Sequence, residues 1–411
     1  MKMVCALAFL VAWSAQVAVS QGGANYTAFG LGQQRSTFGA GYEGLAGAAY
    51  AVPSDYVFGI ANPALWSLVK TTRVQGGYRF NQQRAQQDGN TRRQNNGKLD
   101  GAALLFAIDT SLEIAASIGV FPSTAINYTS LRRFQVELPD VGVLDGTTTY
   151  RGGGGMVTAY LGGAARIAPG VYAGAALLYG FGLISDQIET LIASESSQRA
   201  VTTYNDVLST FGGRVGLYAE LDDHWSAGAA VGVFQPLSVQ RTLVYQSFSP
   251  SSAKPSFDTT FQTRLASLLP ISIGGGLTYS VRRWSLLVDG EWSPSSVIDY
   301  RFSPLARAGT SYRISLAARY RGSRSAGASF DERLTTSGGV FFQQLPVVMG
   351  DRALQEYGGA IGLQIPFGGS AMIDAALTVG IRGAGMPVRE EFFRLSVTIS
   401  VGEVWFVPFR R

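Results

Sequence analysis

Phe393-Arg394-Leu395-Ser396-Val397-Thr398-Ile399-Ser400-Val401-Gly402 alternates apolar with polar or small residues at every position. Successive side chains of a strand point to opposite faces, so this stretch has one greasy face and one polar face. The same period of two precedes it. Ile373, Ala375, Leu377, Val379 and Ile381 alternate with Asp374, Ala376, Thr378, Gly380 and Arg382. Tyr312, Ile314, Leu316, Ala318 and Tyr320 alternate with Arg313, Ser315, Ala317 and Arg319, and Trp284, Leu286, Val288 and Trp292 with Ser285, Asp289, Glu291 and Ser293. The apolar rows carry Trp or Tyr near their ends. A soluble sandwich needs no such ends, whereas a lipid-facing band flanked by aromatic girdles around a polar interior does.

Working back from this stretch, Ile114–Leu131 and Ile167–Ile184 each run without a charge and invite a spanning-helix reading. Both contain proline and glycine and both resolve into period two, so they too read as strands. The alternating stretches number fourteen, between 71 and 406. An even number suits a single-chain barrel. Short connections such as Asp109-Thr110, Ala168-Pro169, Asp222-Asp223, Arg282-Arg283 and Gly368-Gly369 alternate with long polar ones at 82–97, 137–146, 185–202, 241–262, 294–307 and 344–353. That asymmetry places both termini in the periplasm. The expected fold is all-β: a 14-stranded antiparallel transmembrane β-barrel, multi-pass in the outer membrane of a Gram-negative (diderm) bacterium.

Composition agrees. The 411 residues are 46% hydrophobic and 15% charged and include 51 glycines, which excludes a disordered chain or a coiled coil. A net charge of +5 without clusters gives no reason to expect nucleic acid. One histidine and one cysteine leave no material for a metal site, a thiol–imidazole dyad or disulfides, so neither an enzyme nor a cofactor is expected. Lys2, the apolar Val4–Trp13 and the small-residue exit at Ser20 give residues 1–20 the form of a secretory leader, with Cys5 inside its apolar core.

Residues 21–70 do not alternate cleanly and are rich in Gly, Ala and Gln. Gly39-Ala40-Gly41-Tyr42-Glu43-Gly44 matches a dinucleotide fingerprint literally but lacks the preceding apolar strand and the following acid. Gly152–Gly155 lacks the Gly-Lys-Ser/Thr of a phosphate loop. The prefix is expected to be a hatch folded into the lumen, with a loose periplasmic tail as the alternative. The domains are then the leader 1–20, the hatch 21–70, the barrel 71–406 and a short tail 407–411.

The prefix resembles the hatch of the FadL/TodX family of outer-membrane transporters for hydrophobic compounds. The Gly/Ala-rich Gly39–Tyr50 leads to Asn62-Pro63-Ala64, although Leu65 stands where the family usually has glycine. Tyr150–Gly155, Tyr179–Gly182, Leu269-Pro270 and Gly362–Phe367 are similar to segments of the family's barrel. Trp405-Phe406 followed by a short basic tail departs from the usual aromatic terminus, the signal read by the barrel-assembly machinery. The resemblance implies passive uptake of hydrophobic small molecules, long-chain fatty acids or aromatic hydrocarbons, by lateral release into outer-membrane lipid. The alternative is a related barrel that docks an exported protein or serves secretion; a plain polar porin is the third reading.

Ile184, Ile188, Leu191 and Ile192 fall at helical spacing, and Asp186 with Glu189 at capping-box spacing. An amphipathic helix is therefore expected there, serving either as a landing groove like the family's third loop or as packing for neighbouring loops. Pro122 interrupts the third strand, so Phe121, Pro122, Ser123 and Thr124 form a bulge or kink. In the resembling family such a kink opens the wall sideways. The inward apolar residues Phe121, Phe234 and Leu287 are expected to line a ligand pocket beside Ile188, Leu191 and Ile192. Arg79, Glu113, Arg214, Glu220, Asp289, Glu291, Arg313, Arg319, Asp374, Arg382 and Arg394 form a mixed-charge lumen, suited to ion pairs that hold a plug. His224 lies in a turn and is read as a solvated rim residue.

Overall fold

The computed structural model describes residues 24–35, 38–54, 56–87, 89–138, 142–192, 198–249, 254–294, 300–302, 306–325, 327–367 and 370–404. The leader, Cys5 and Trp405-Phe406 lie outside them. Fourteen strands form one closed antiparallel barrel. They are β1 (Thr72–Gln87), β2 (Asn90–Asp109), β3 (Ile114–Pro122, resuming as Thr124–Leu138), β4 (Gly142–Ala168), β5 (Val171–Ile192) and β6 (Gln198–Glu220). There follow β7 (Trp225–Phe234 and Leu237–Phe248), β8 (Pro255–Ser267 and Ser272–Val281), β9 (Trp284–Ser293) and β10 (Ser311–Tyr320). The last four are β11 (Thr335–Met349), β12 (Arg352–Pro366), β13 (Met372–Arg382) and β14 (Arg389–Glu403). Closure is made by β14 on β1, from Arg389↔Gln86 to Glu403↔Thr72.

The alternation read from the sequence sets the faces. Leu277, Val288, Leu316 and Val340 stand side by side on β8–β11 and are all exposed. Their neighbours Thr278, Ser285, Asp289, Ser315 and Ala317 are buried inside. Trp225, Tyr279, Trp284 and Tyr320 ring the lower rim, with Trp225 against Tyr279 at 4.9 Å and Trp284 against Tyr320 at 5.1 Å. Trp292 and Tyr312 are paired at the other border of the band.

The long polar connections are the main correction. Apart from 294–307, each is mostly ladder: β1 and β2 pair out to Gln87↔Asn90, β5 and β6 to Ile192↔Gln198, and β11 and β12 to Met349↔Arg352. A tilted strand needs about 9–11 residues to span a bilayer, whereas β4 has 27. The barrel therefore projects well above its apolar band, where water on both faces removes the hydrophobic alternation that reveals a strand. Within 294–307, Ala306–Ala308 pairs with Val347–Met349.

The helix expected over Ile184–Ile192 is also overturned, because those residues continue β5 between β4 and β6. Spacings of four and eight are even and fit a strand as well as a helix; only Leu191 separates the two periods, and it lies on the opposite face from Ile184. Asp186 and Glu189 are ion-paired instead of capping, to Arg301 and to Arg199 respectively. Glu113 belongs to the turn after β2, where it meets Lys70 and Arg166, and not to the deep lumen.

Leu316→Arg, at mid-height on the outer face, is expected to lower barrel stability in phospholipid vesicles by about 2–4 kcal/mol, measured by denaturant unfolding. A loss under about 1 kcal/mol would show that this face does not meet lipid.

Candidate functional site

Residues 24–70 make contacts that are possible only from inside the barrel. The amides of Ala49 and Tyr50 donate to Asp289 of β9 at 2.6 and 2.7 Å. Arg313 and Ser315 of β10 donate to the Ala46 carbonyl at 2.6 and 2.8 Å. Ala40 N–H reaches Thr398 of β14 at 2.8 Å, and Arg214 of β6 donates to Ala61 O at 3.1 Å. One short segment thus satisfies polar groups on strands all round the circumference, which a buried backbone requires.

Asn62-Pro63-Ala64 has a definite mechanical role. Asn62 caps the 3₁₀ helix Pro63–Leu68, its Oδ1 accepting from Ala64 N–H at 3.1 Å. Its Nδ2 donates both to Tyr50 O at 2.7 Å and to Leu217 O of β6 at 2.9 Å. Asparagine supplies the acceptor and both donors at once, and Pro63 occupies the first helical position, where no N–H is needed. The wall yields to let this turn in: a Cβ on Gly228 of β7 would stand 1.9 Å from the Tyr50 carbonyl oxygen.

Charge fastens the other side. Glu43 ion-pairs with Arg79 of β1, with Arg394 of β14 at 3.2 Å and with Arg35 at 3.8 Å. Asp100 of β2 takes Arg35 at 2.7 Å and Arg79 at 3.1 Å. Burial would raise the Glu43 carboxyl, but Arg79, Arg394 and Arg35 outweigh it and hold it at about 2.

Between these fixings lies a cavity of about 210 Å³. Its apolar lining includes Leu31, Phe121, Met156, Leu178, Phe234 and Leu269; its polar lining includes Arg79, Arg313, Arg394 and Glu43. Phe121 stacks on Phe38 at 5.4 Å and meets Tyr160 edge-on at 6.4 Å. Of the expected pocket residues, Phe121 and Phe234 are in the wall of this cavity. Leu287 is covered by the prefix, in a cluster with Tyr42, Leu45 and Tyr50. Ile188, Leu191 and Ile192 stand higher on β5 and do not line it.

An apolar cluster that shares Leu31 and Met156 with the cavity escaped sequence reading. Leu31, Ile126, Met156, Ile184, Leu208, Leu237, Val239 and Tyr300 form one buried cluster. Tyr300 donates to Asp206 at 2.6 Å, and Arg301 binds Asp186 at 2.7 Å and the Gly30 carbonyl at 2.9 Å. The contributions come from five strands, the prefix and one connection, so no local pattern could unite them.

The third strand is interrupted at Ser123, and the wall changes there. β2 and β3 pair only from Ala102↔Val120 to Asp109↔Ile114. Among the described residues no ladder joins Asn90–Gly101 to Thr124–Leu138. The prefix fills the seam: Gln33 and Gln34 pair with Ala125 and Thr124, Arg35 N–H donates to Ser123 O at 2.9 Å, and Asn127 N–H to Thr27 Oγ1 at 3.1 Å.

A family model described as BamG matches residues 1–410. No curated protein matches the sequence. Among solved structures, the chain is similar to the CymD monoaromatic hydrocarbon channel, with TM-score 0.61 and 13% identity over 92% of this chain and 99% of that one. A Pseudomonas aeruginosa FadL homologue gives TM-score 0.62 and 12% identity over 89% and 98%. The P. putida toluene transporter TodX gives TM-score 0.58 and 15% identity over 91% and 100%. At these identities the likeness establishes the fold.

Glu43→Gln removes the shared partner of buried arginines and is expected to weaken docking of the prefix by about 3 kcal/mol. Gly228→Ala acts by steric clash with Tyr50. Both should expose the prefix to protease while the barrel stays folded. Since Glu43 is held at about 2 instead of the ordinary 4.5, its contribution is complete above about pH 5 and fades as pH falls toward 2. Wild-type protection from pepsin should fall across that window, and the Glu43-dependent part of the fall should be absent in Glu43→Gln. An identical pH profile in that variant would refute the assignment.

Proposed function

The chain belongs to the BamG family, and from the cavity beside Phe121 and the interrupted third strand we propose that it is an outer-membrane channel for passive uptake of hydrophobic small molecules. The long-strand end faces the cell exterior and the short-turn end the periplasm, following the usual asymmetry of such barrels. A molecule is desolvated at the cluster of Ile184, Leu208, Leu237 and Tyr300, occupies the cavity beside Phe121 and Phe234, and leaves sideways past Ser123 into lipid. Residues 24–70 act as the hatch.

The single observation that supports this reading is that the ladder between β2 and β3 stops at Ala102↔Val120, and that just beyond it the third strand pairs with Gln33 and Gln34 of the prefix. Elsewhere the strands are joined by long backbone ladders, and breaking those in hydrocarbon is costly. Moving Gln33–Arg35 exchanges only a few contacts. The cavity volume bears on the cargo: a cavity of about 150 Å³ admits benzene, so about 210 Å³ suits a substituted single ring better than an extended long-chain acid. The arginines along its floor favour cargo with a polar or anionic end.

The family's name points to the barrel-assembly machinery, and a barrel that docks to it, or to an exported protein, is the second reading. One experiment separates them. Gln33→Cys with Ala125→Cys, in a sequence whose one native cysteine is Cys5, staples hatch to wall when oxidised. Lateral transport expects toluene uptake into intact cells to fall at least fivefold on oxidation and to recover with reductant. Uptake indifferent to the staple would remove the lateral route and favour docking.

A further inference from the structure

Five guanidinium groups stand in the wall of the cavity beside Phe121. Arg35, Arg79 and Arg394 are tied to Glu43 or Asp100. Arg313 donates from all three nitrogens, to Ser315, Gln343 and the Ala46 carbonyl. Arg214 of β6 is different. Among the described residues its partners are all neutral: Nη1 donates to the carbonyls of Ile60 and Ala61 at 3.5 and 3.1 Å, and Nη2 to Ser272 Oγ at 2.9 Å. Its Nε finds no acceptor, although the residue is only 7% exposed. The acids of the same wall are engaged elsewhere, Glu43 with Arg79 and Arg394, Glu356 with Arg382, and Glu291 with Tyr50.

The strand register sets an apolar shelf beside this guanidinium. Arg214 is opposite Gly232 of β7 and Ala176 of β5, and the next inward position, Gly212, is opposite Phe234 and Leu178. A Cβ on Gly232 would stand 3.1 Å from Arg214 Nε, so glycine there lets the guanidinium lie against the wall. A Cβ on Gly212 would meet the Phe234 ring at 2.5 Å, so that ring lies over the wall two residues nearer the long-strand end. Phe234, Leu178 and Leu269 line the cavity together with Arg214. One side of the cavity thus presents a cation next to apolar surface.

We propose that Arg214 is the carboxylate anchor of the cavity, and that the cargo is a single aromatic ring bearing a carboxylate. The proposal rests on the uptake reading above and narrows it. Arginine cannot shed its charge as a buried lysine can. A neutral hydrocarbon in the cavity seals that charge from water with only neutral partners, which is costly. A carboxylate supplies the counter-charge and accepts from the unused Nε–H, in the geometry that a guanidinium fork offers. The ring then rests on Phe234 and Leu178, and about 210 Å³ has room for both ends. An inorganic anion leaves that shelf uncovered.

Equilibrium dialysis of the full chain in detergent micelles tests it, with protein-free micelles as the blank. The probes are 4-methylbenzoate and 1,4-dimethylbenzene, which share one shape and differ in charge. The carboxylate is expected to bind at least tenfold more tightly. Arg214→Gln should cut that ratio at least tenfold, and Gly232→Ala, which pushes the guanidinium off the wall, should lower it as well. Equal binding of the two probes overturns the proposal and leaves the uptake reading standing, whereas failure of both to bind overturns the two together. A ratio unchanged in Arg214→Gln, or release of 4-methylbenzoate by an equal concentration of inorganic phosphate, also overturns it. Should Arg214→Gln lose both probes along with its hold on Ala61, Gly232→Ala decides, and an unchanged ratio there overturns the proposal.

Discussion

Every backbone N–H and C=O in the hydrocarbon layer must find a partner within the protein, and that constraint organises this molecule. It requires closure of β14 on β1, because a free edge inside lipid would leave a column of unpaired groups. It also explains where the wall is allowed to be incomplete. Where the ladder between β2 and β3 stops, the prefix supplies substitute partners at Ser123, Thr124 and Ala125.

The lumen obeys a second balance. Charges taken out of water must be paired, and pairing them with the wall is what holds the prefix. Glu43 bridges β1 and β14 through Arg79 and Arg394, while Arg35 ties the prefix to Asp100 of β2. Arg382 between Glu356 and Glu390 closes a similar triad across β12, β13 and β14, and Glu390 in turn accepts the Asn25 amide at 2.6 Å. Fixings of this kind are specific without being large in apolar area.

How far the sequence could be read depended on what each residue faced. Trp284 to Trp292 and Tyr312 to Tyr320 were legible because one face of each strand meets lipid and the other a polar lumen. Gln82–Gln87, Asn90–Gly97, Asp186–Ile192 and Gln198–Thr202 were not, since polar residues stand on both faces there, impose no apolar alternation and read as loops. Ile184 and Ile188 misled because even spacings satisfy both periods. Phe121 and Phe234 were found in the cavity wall, whereas Leu287 pointed inward as expected but is covered by the hatch. Tyr300 and Arg301 gave no signal, sitting in a polar connection whose partners, Asp206 and Asp186, lie roughly a hundred residues away in the chain.

By itself the sequence determined the barrel, its strand number, the lipid-facing rows and a separate prefix, because each follows from local periodicity and from the solvent on each face. Tertiary structure alone decided which inward residues meet the cavity and which the hatch, how Arg35, Glu43 and Asp100 come together, and where the wall lacks a ladder. Those depend on register between strands distant in the chain, and register is a property of pairs that no single stretch carries.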